Sequence, residues 1–234
     1  MVASINPMVF KMNPSTGVVV DTYTIDRHGG SGKVIRADGD GATFVGLTDN
    51  TVRTVIKLDS DFDEAWTASW RIAPSDINGM HLTDDHIYVT GAASPAIKID
   101  RATGAVLQRF DIRQWNNVSF SGVAIGVDSS DNVFIAVNAN SLESFTSDKF
   151  NLFKLDSNNK IEAKLEGTGI ITGLAVDDSD NIYVTHNTKN VGESDNIIKY
   201  NTSLVKQWGF DAVGRQRACA VSYTHLTLPT IYSV

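Results

Sequence analysis

Apolar residues recur along the chain in short alternating runs, each closed by a cluster of Asp, Asn, Ser or Gly, the pattern of half-buried strands joined by tight turns. No window of about 12 residues keeps a helical period, so every predicted element is a β-strand. One run is repeated, apolar-Lys-apolar followed by Asp or Asn: "VFKMN" at 9–13, "VIKLD" at 55–59, "AIKID" at 96–100, "LFKLD" at 152–156 and "IIKYN" at 197–201. Its lysines, Lys11, Lys57, Lys98, Lys154 and Lys199, are spaced 46, 41, 56 and 45 residues apart. After each comes a turn and a second β-rich run: "NPSTGVVVDTYTI", "DSDFDEAWTASW", "DRATGAVLQRF", "DSNNKIEAKL" and "NTSLVKQWGF". Asn, Asp and Ser side chains bond nearby backbone and Gly reaches positive φ, so each pair of runs predicts a hairpin.

A second duplication lies upstream of the last two lysine runs. "SGVAIGVDSSDNVFIAV" at 121–137 matches "TGLAVDDSDNIYVT" at 172–185, with "DINGMHLTDDHIYVTG" at 76–91 as a third copy. The small residues Gly122, Ala124, Gly173 and Ala175 suit an innermost strand, where neighbouring sheets converge and lateral room is short. The run that follows, "NVFIAV" or "NIYVT", is richer in β-branched and aromatic residues, as expected between packed sheets. Each unit therefore reads as inner strand, Asp-rich turn, second strand, loop, lysine strand, turn, outer strand. The period matches the roughly 40–50 residues of a four-stranded propeller blade. The predicted fold is all-β, a β-propeller of four-stranded antiparallel blades in an incomplete ring. Full blades are expected at about 33–71, 77–110, 120–166 and 170–209, with a half blade at 9–25 and the start of a further blade at 215–220. The half blade is either the mate of missing C-terminal strands or the trace of a truncated start.

The segment "VSYTHLTLPTIYSV" at 221–234 breaks this grammar, lacking both the Asp-rich turn and the second-strand pattern. Residues 221–230 resemble one reading frame of the transposase end and linker DNA used in sequencing libraries, over ten consecutive positions. A natural hairpin with a Pro-containing turn is the alternative. The adapter reading implies an environmental or assembled reading frame whose genuine protein ends near Ala220. It also implies that residues 222–234 pack irregularly and that Cys219 and His225 carry no functional weight.

The blade unit resembles the NHL-like and SBBP-type β-propeller repeats. There an Ala-Val-Asp-x-x-Gly/Asp-Asn segment and a hydrophobic-Tyr-Val strand precede the hydrophobic-Lys-hydrophobic-Asp strand. Residues 124–137 and 175–185 fit best, and "HIYVTGAASPAIKID" at 86–100 is close. Asp131 and Asp180 stand where this turn ordinarily has Gly. The resemblance covers residue 9 to about 220 and implies a fold rather than an activity. Its members include extracellular and periplasmic binding or adhesive modules, domains of signalling proteins and some enzymes. The Gly-His and Trp-Asp signature of WD40 blades is absent.

A net charge of −7 with acids and bases interspersed disfavours a nucleic-acid partner. No apolar stretch approaches the 18 or so residues of a membrane helix, so no membrane insertion is expected. The opening "MVASINPMVFKMNPSTG" lacks a basic segment followed by an apolar run and is no signal peptide. An extracellular or periplasmic location would require a start upstream of it. The lone Cys219 cannot form an internal disulfide, and its solitude fits a reducing compartment and a bridge-free secreted β-protein equally.

Candidate chemistry is sparse. The acidic turns opening at Asp38, Asp59, Asp128 and Asp177 offer oxygens to a cation, but the twelve-position calcium loop with its terminal Glu is missing, and Asx turns explain the same residues. His28, His81, His86, His186 and His225 show no zinc-protease spacing, and solvent-facing or strand-edge places are expected, with His186 set apart at the start of a long loop. "RHGGSGKVIRADGDG" lacks the order of a phosphate-binding loop. Ser121 and Ser129 lack a nucleophile-elbow context. Inner strands of Gly, Ala, Val and Ile leave few groups for a lactonase-like metal site. Trp66, Trp70, Trp115 and Trp208 do not recur at one blade position, against a quinone-dependent enzyme. No catalytic residue, cofactor or metal is assigned.

The expected function is a non-enzymatic scaffold or binding module that recognises a protein, peptide or glycan through one loop rim. Second-to-third-strand and blade-to-blade connections share that rim and vary in length, as grafted binding surfaces do. It should collect Arg27, His28, Arg113, Trp115, Asn138 and His186. The group "DIRQWNN" could grip a ligand through Trp115 and Arg113, or Trp115 could plug the gap between blades. A purely structural segment of a larger surface or signalling protein is the alternative, ahead of a lactonase-like metal-dependent hydrolase.

Overall fold

The computed structural model describes residues 8–25, 31–48, 52–71, 76–91, 94–110, 120–139, 149–187 and 196–211. Among them are eighteen strands and no helix. A two-stranded hairpin, β1 (Met8–Met12) and β2 (Val19–Thr24), precedes four blades. Blade 1 comprises β3 (Ser31–Ala37), β4 (Thr43–Thr48), β5 (Val52–Leu58) and β6 (Glu64–Arg71). Blade 2 comprises β7 (Ile77–Leu82), β8 (His86–Gly91), β9 (Ser94–Asp100) and β10 (Val106–Phe110). Blade 3 comprises β11 (Phe120–Val127), β12 (Val133–Ala139), β13 (Lys149–Leu155) and β14 (Ile161–Thr168). Blade 4 comprises β15 (Ile170–Val176), β16 (Ile182–Asn187), β17 (Ile197–Tyr200) and β18 (Lys206–Phe210). Each blade is an antiparallel meander in chain order, with the repeated lysine on its third strand.

The first strands β3, β7, β11 and β15 lie side by side, which makes them the inner edge of the arc. The second strands are sandwiched on both faces, and this explains why they read as unbroken apolar runs. In β12, Val133, Ile135 and Val137 pack with Tyr88 and Phe110 of blade 2, while Phe134 and Ala136 pack with Leu174 and Val184 of blade 4. Burying a side chain such as Phe134 fully contributes about 2–3 kcal/mol. Equivalent cores join Phe44 and Val55 to Ile97 and Ile99, and Val9 and Ile25 of the hairpin to Val45 and Ile56.

Bulges recur at two places. Every inner hairpin carries an extra residue on its first strand, at Lys33, Asn78, Val123 and Thr172. Every outer hairpin carries one on its fourth strand, at Val20, Ala65, Leu107, Glu162 and Gln207. The outer bulge follows from the turn before it, whose last residue sits in the left-handed region at Gly17, Phe62, Gly104, Asn159 or Leu204.

The ring is open: among the described residues no core joins blade 4 to the β1–β2 hairpin. Met8, Phe10 and Met12 are exposed at one end of the arc, Trp208 and Phe210 at the other. The expected further blade at 215–220 and the adapter-like segment 221–234 lie outside the described residues.

Candidate functional site

The strands present two rims. One carries the turns between first and second and between third and fourth strands; the other carries the second-to-third-strand and blade-to-blade connections.

On the turn rim the Asp that opens each of five turns is engaged by the chain itself. Oδ1 of Asp38, Asp59, Asp128, Asp156 and Asp177 each accepts the backbone N–H groups two and four residues on, at 2.8–3.0 Å. The spacing that could have offered oxygens to a cation is thus that of Asx turns. Among the described residues no three His, Cys, Asp or Glu are grouped to hold a metal ion.

A second layer of bonds ties this rim from blade to blade. Asp131 and Asp180 adopt φ of 64° and 60°, a region that costs an ordinary L-residue about 1–2 kcal/mol. Each carboxylate is in return bonded to the preceding blade. Asp131 accepts from Tyr88 Oη and Lys98 Nζ, both at 2.8 Å, and Asp180 accepts from the backbone N–H and hydroxyl of Ser129 at 2.7 and 2.6 Å. Burial pushes the Asp131 carboxyl up, but the bonds from Lys98 and Tyr88 outweigh it and hold it below the usual carboxylate range. Burial, reinforced by Asp131, pushes the Tyr88 phenol far above its ordinary value. Arg101 closes the junction of blades 1 and 2, donating to Asp38 and to the carbonyls of Thr83 at 2.9 Å and Asp84 at 3.1 Å. Asp38 is likewise pushed up by burial and brought net below its ordinary value by Arg101 and its turn amides.

The carbonyl that follows the first turn residue is a recurring acceptor. Ser60 O receives Lys11 Nζ at 2.9 Å, Arg101 O receives Trp66 Nε1 at 3.2 Å and Lys57 Nζ at 3.4 Å, and Ser157 O receives Gln108 Nε2 at 3.1 Å. The repeated lysine is therefore a blade-to-blade clasp at two junctions, and at a third Lys98 reaches Asp131 instead.

Of the residues expected on the other rim, Arg27, His28, Arg113 and Trp115 lie outside the described residues. Asn138 and His186 are described, and the junction of blades 3 and 4 brings both to Ile171. Asn138 Nδ2 donates to Ile171 O at 3.1 Å while its Oδ1 accepts Ile171 N at 2.9 Å, and His186 is the register partner of Ile171. Thr48 does the same work at the junction of blades 1 and 2, accepting Ile77 N at 2.9 Å. The His186 ring is buried against Phe150, 5.2 Å between centroids, rather than placed in solvent.

The inner edge supplies residues that the repeat pattern did not flag. The bulged Lys33 lies 3.3 Å from Asp76, and the bulged Asn78 donates to Gly122 O at 2.8 Å. Away from that edge, on the third strand β5, Arg53, 2% exposed, has its pKa pulled down to about 10 by burial, with Asp76 acting the other way. His81 on β7 is held neutral, its pKa lowered to about 4 by burial and by Arg36. A periodic apolar count does not see Lys33 and Asn78, because a bulge shifts the register by one residue only after the chain has paired.

One reading is corrected. Trp66 and Trp208 do share a blade position: each is the register partner of the repeated lysine, opposite Lys57 and Lys199. The signal was present, since both lie nine residues after their lysine.

No protein-family model matches the sequence, and no curated protein does. Among solved structures, BamB from Moraxella catarrhalis aligns with a TM-score of 0.60 at 13% identity, over 92% of this chain and 61% of its own. The Dos1 propeller aligns with a TM-score of 0.60 at 18% identity, over 91% of this chain and 53% of its own. The chain shares the β-propeller fold with these structures and spans less than two thirds of their length.

Proposed function

We propose that this propeller is a non-enzymatic scaffold that binds a protein or peptide partner, or a glycan, through the rim of second-to-third-strand and blade-to-blade connections. The observation that carries this reading is the contrast in strand spacing at the two rims. Turn-rim connections hold five residues almost throughout, whereas the other rim runs from the single Gly169 between β14 and β15 to nine residues between Phe110 and Phe120. Variable connections on a rigid frame are where binding surfaces are built. Asn138 and the buried His186 belong to the frame beneath this rim, and Arg113 and Trp115 to the contact surface. The NHL-like and SBBP-type assignment goes with this reading and rests on residues 124–137 and 175–185.

The test is affinity capture with three proteins: the full chain, a chain with 111–119 and 140–148 replaced by Gly-Ser segments, and a chain with turn-rim substitutions Asp61→Ser and Asn158→Ser. Loss of a captured partner in the second protein alone, with unchanged circular dichroism, supports the rim. Capture that survives it removes the rim from the reading. Capture by none of the three favours a purely architectural segment.

A further inference from the structure

We propose that the Asp40–Gly41 link in the first turn of blade 1 is a site of spontaneous aspartate isomerisation, a modification the chain makes on itself with water as the only co-reactant. The reaction needs a backbone N–H that can reach the side-chain carboxyl of the residue before it, and glycine, with no Cβ, obstructs that approach least. Gly41 N attacks Asp40 Cγ, the N–Cγ bond forms, and the amide proton and a carboxyl oxygen leave as water. Water then reopens the five-membered imide at either carbonyl. Opening at Cγ restores aspartate. Opening at the main-chain carbonyl leaves isoaspartate, in which the chain runs through the side chain and the α-carboxylate stands free, with no net change of mass.

Three pairs in the 234 residues place Gly after Asp or Asn: Asp38–Gly39, Asp40–Gly41 and Asn78–Gly79. The structure separates them. The Asp38 carboxylate accepts the N–H groups of Asp40 at 3.0 Å and Ala42 at 2.8 Å, and Arg101 as well. Burial pushes that carboxyl up, but these bonds bring it net below its ordinary value, so it stays ionised, the form that gives up an oxygen least readily. Asn78 donates its Nδ2 to Gly122 O at 2.8 Å, and a Cβ on the buried Gly79 would stand 3.0 Å from Ala124 Cα, which leaves no room for the ring. Asp40 and Gly41 are both exposed, and among the described residues no donor reaches the Asp40 carboxylate.

The attacking nitrogen is also the loosest of its kind. In five other turns of this shape the N–H of the left-handed residue donates to the carbonyl of the opening residue at 2.9–3.1 Å, at Phe62, Asp131, Asn159, Asp180 and Leu204. At Gly41 the same bond is 3.5 Å long. Isomerisation is read at the junction of blades 1 and 2, because isoaspartate adds one carbon to the main chain between Asp40 and Gly41. Asp38 N donates to Ala42 O at 3.0 Å and Ala42 N to Asp38 Oδ1 at 2.8 Å, and both bonds span the lengthened link. The Asp38 side chain they position is the one that holds Arg101 of blade 2.

The 234-residue chain is incubated at neutral pH, folded and in urea, and its peptides are separated and sequenced by electron-transfer fragmentation, which tells isoaspartate from aspartate at equal mass. In the folded chain isoaspartate should accumulate at 40 about tenfold or more faster than at 38, because freeing the Asp38 carboxyl breaks its bonds to a cation and two amides. In urea the two aspartates, each followed by glycine, should isomerise at similar rates, and Asn78 should deamidate only there. After folded incubation the urea midpoint of the wild-type chain should fall, while that of Asp40→Ser should hold; Ser130 and Ser179 occupy this turn place in blades 3 and 4, so the variant folds. Equal rates at 38 and 40 in the folded chain, deamidation of Asn78 there, or no isoaspartate at 40 would overturn the site. A midpoint that falls equally in both proteins, or in neither, would overturn its effect on the junction. None of these outcomes bears on capture through the loop rim.

Discussion

The two rims of the arc are made from the same strands and do opposite things with their polar groups. On the turn rim the first Asp of a turn closes that turn, as Asp38, Asp59, Asp128, Asp156 and Asp177 do, and Asp131 and Asp180 reach the preceding blade. Asp38 accepts two turn amides and Arg101; Asp128 accepts two amides and the Asn132 side chain. On the other rim the strand ends are tied by a few bonds beneath the surface, Asn138 to Ile171 and Thr48 to Ile77, and the connections beyond them are free to change length. A side chain whose lone pairs are already filled cannot recognise a partner without breaking the fold. The turn rim is therefore spent on stability, and the proposed function places recognition on the opposite edge of the same sheets.

Acid should break the turn rim. Asp38, Asp131 and Asp177 are held below their ordinary values, so the stability they supply is complete above the unfolded-state pKa of about 4 and is lost as pH falls through the lower folded values. His81 adds an earlier slope: it binds protons more readily unfolded, so stability falls as pH drops from about 6.5 towards 4. Thermal melts against pH should show both phases, and His81→Gln should remove the first alone.

Next in size is Arg101→Ala, which leaves the carboxylate of Asp38, 9% exposed, without its cation. A loss of about 3 kcal/mol is expected from urea unfolding. Arg101→Lys should recover only part of it, because a lysine cannot reach three acceptors in a fork. At Asp131 the comparison becomes finer. Asp131→Gly and Asp131→Ala both lose the bonds from Tyr88 and Lys98, but only glycine relieves the positive φ, so the alanine protein should be less stable by about 1 kcal/mol. The smallest effect belongs to the opposite rim: Arg113→Ala should move stability by less than about 0.5 kcal/mol while weakening any captured partner. A larger loss there would place Arg113 in the frame and blur the division between rims.

Much of the frame was legible in the sequence because it depends on local chemistry. The lysine runs, the Asx turns and the small-residue inner strands are each decided within a few residues, and each has its place in a four-stranded sheet. What was not legible depends on partners far along the chain. Nothing near Asn138 announces that its amide will clasp Ile171, and nothing near Asp131 announces Tyr88 and Lys98. Asp131 and Asp180, where the resemblance leads one to expect Gly, read as harmless from the turn alone and gain a role once the cross-blade bonds are seen. The pairing of Trp66 with Trp208 was a different failure, one of alignment: counting from the lysine exposes it, and counting from blade starts of unequal length hides it.

Apart from Arg101, which reaches back to Asp38, the side-chain clasps of the turn rim also have a direction in time. Lys11 waits for Ser60, Lys57 and Trp66 for Arg101, Lys98 for Asp131, and Ser129 for Asp180; in each case the donor leaves the ribosome before its acceptor. Every blade is a meander of consecutive strands and every clasp reaches only the next blade, so no contact needs a distant segment before it can form. Synthesis can lay the arc down blade by blade, each finished sheet presenting a template for the one still being made.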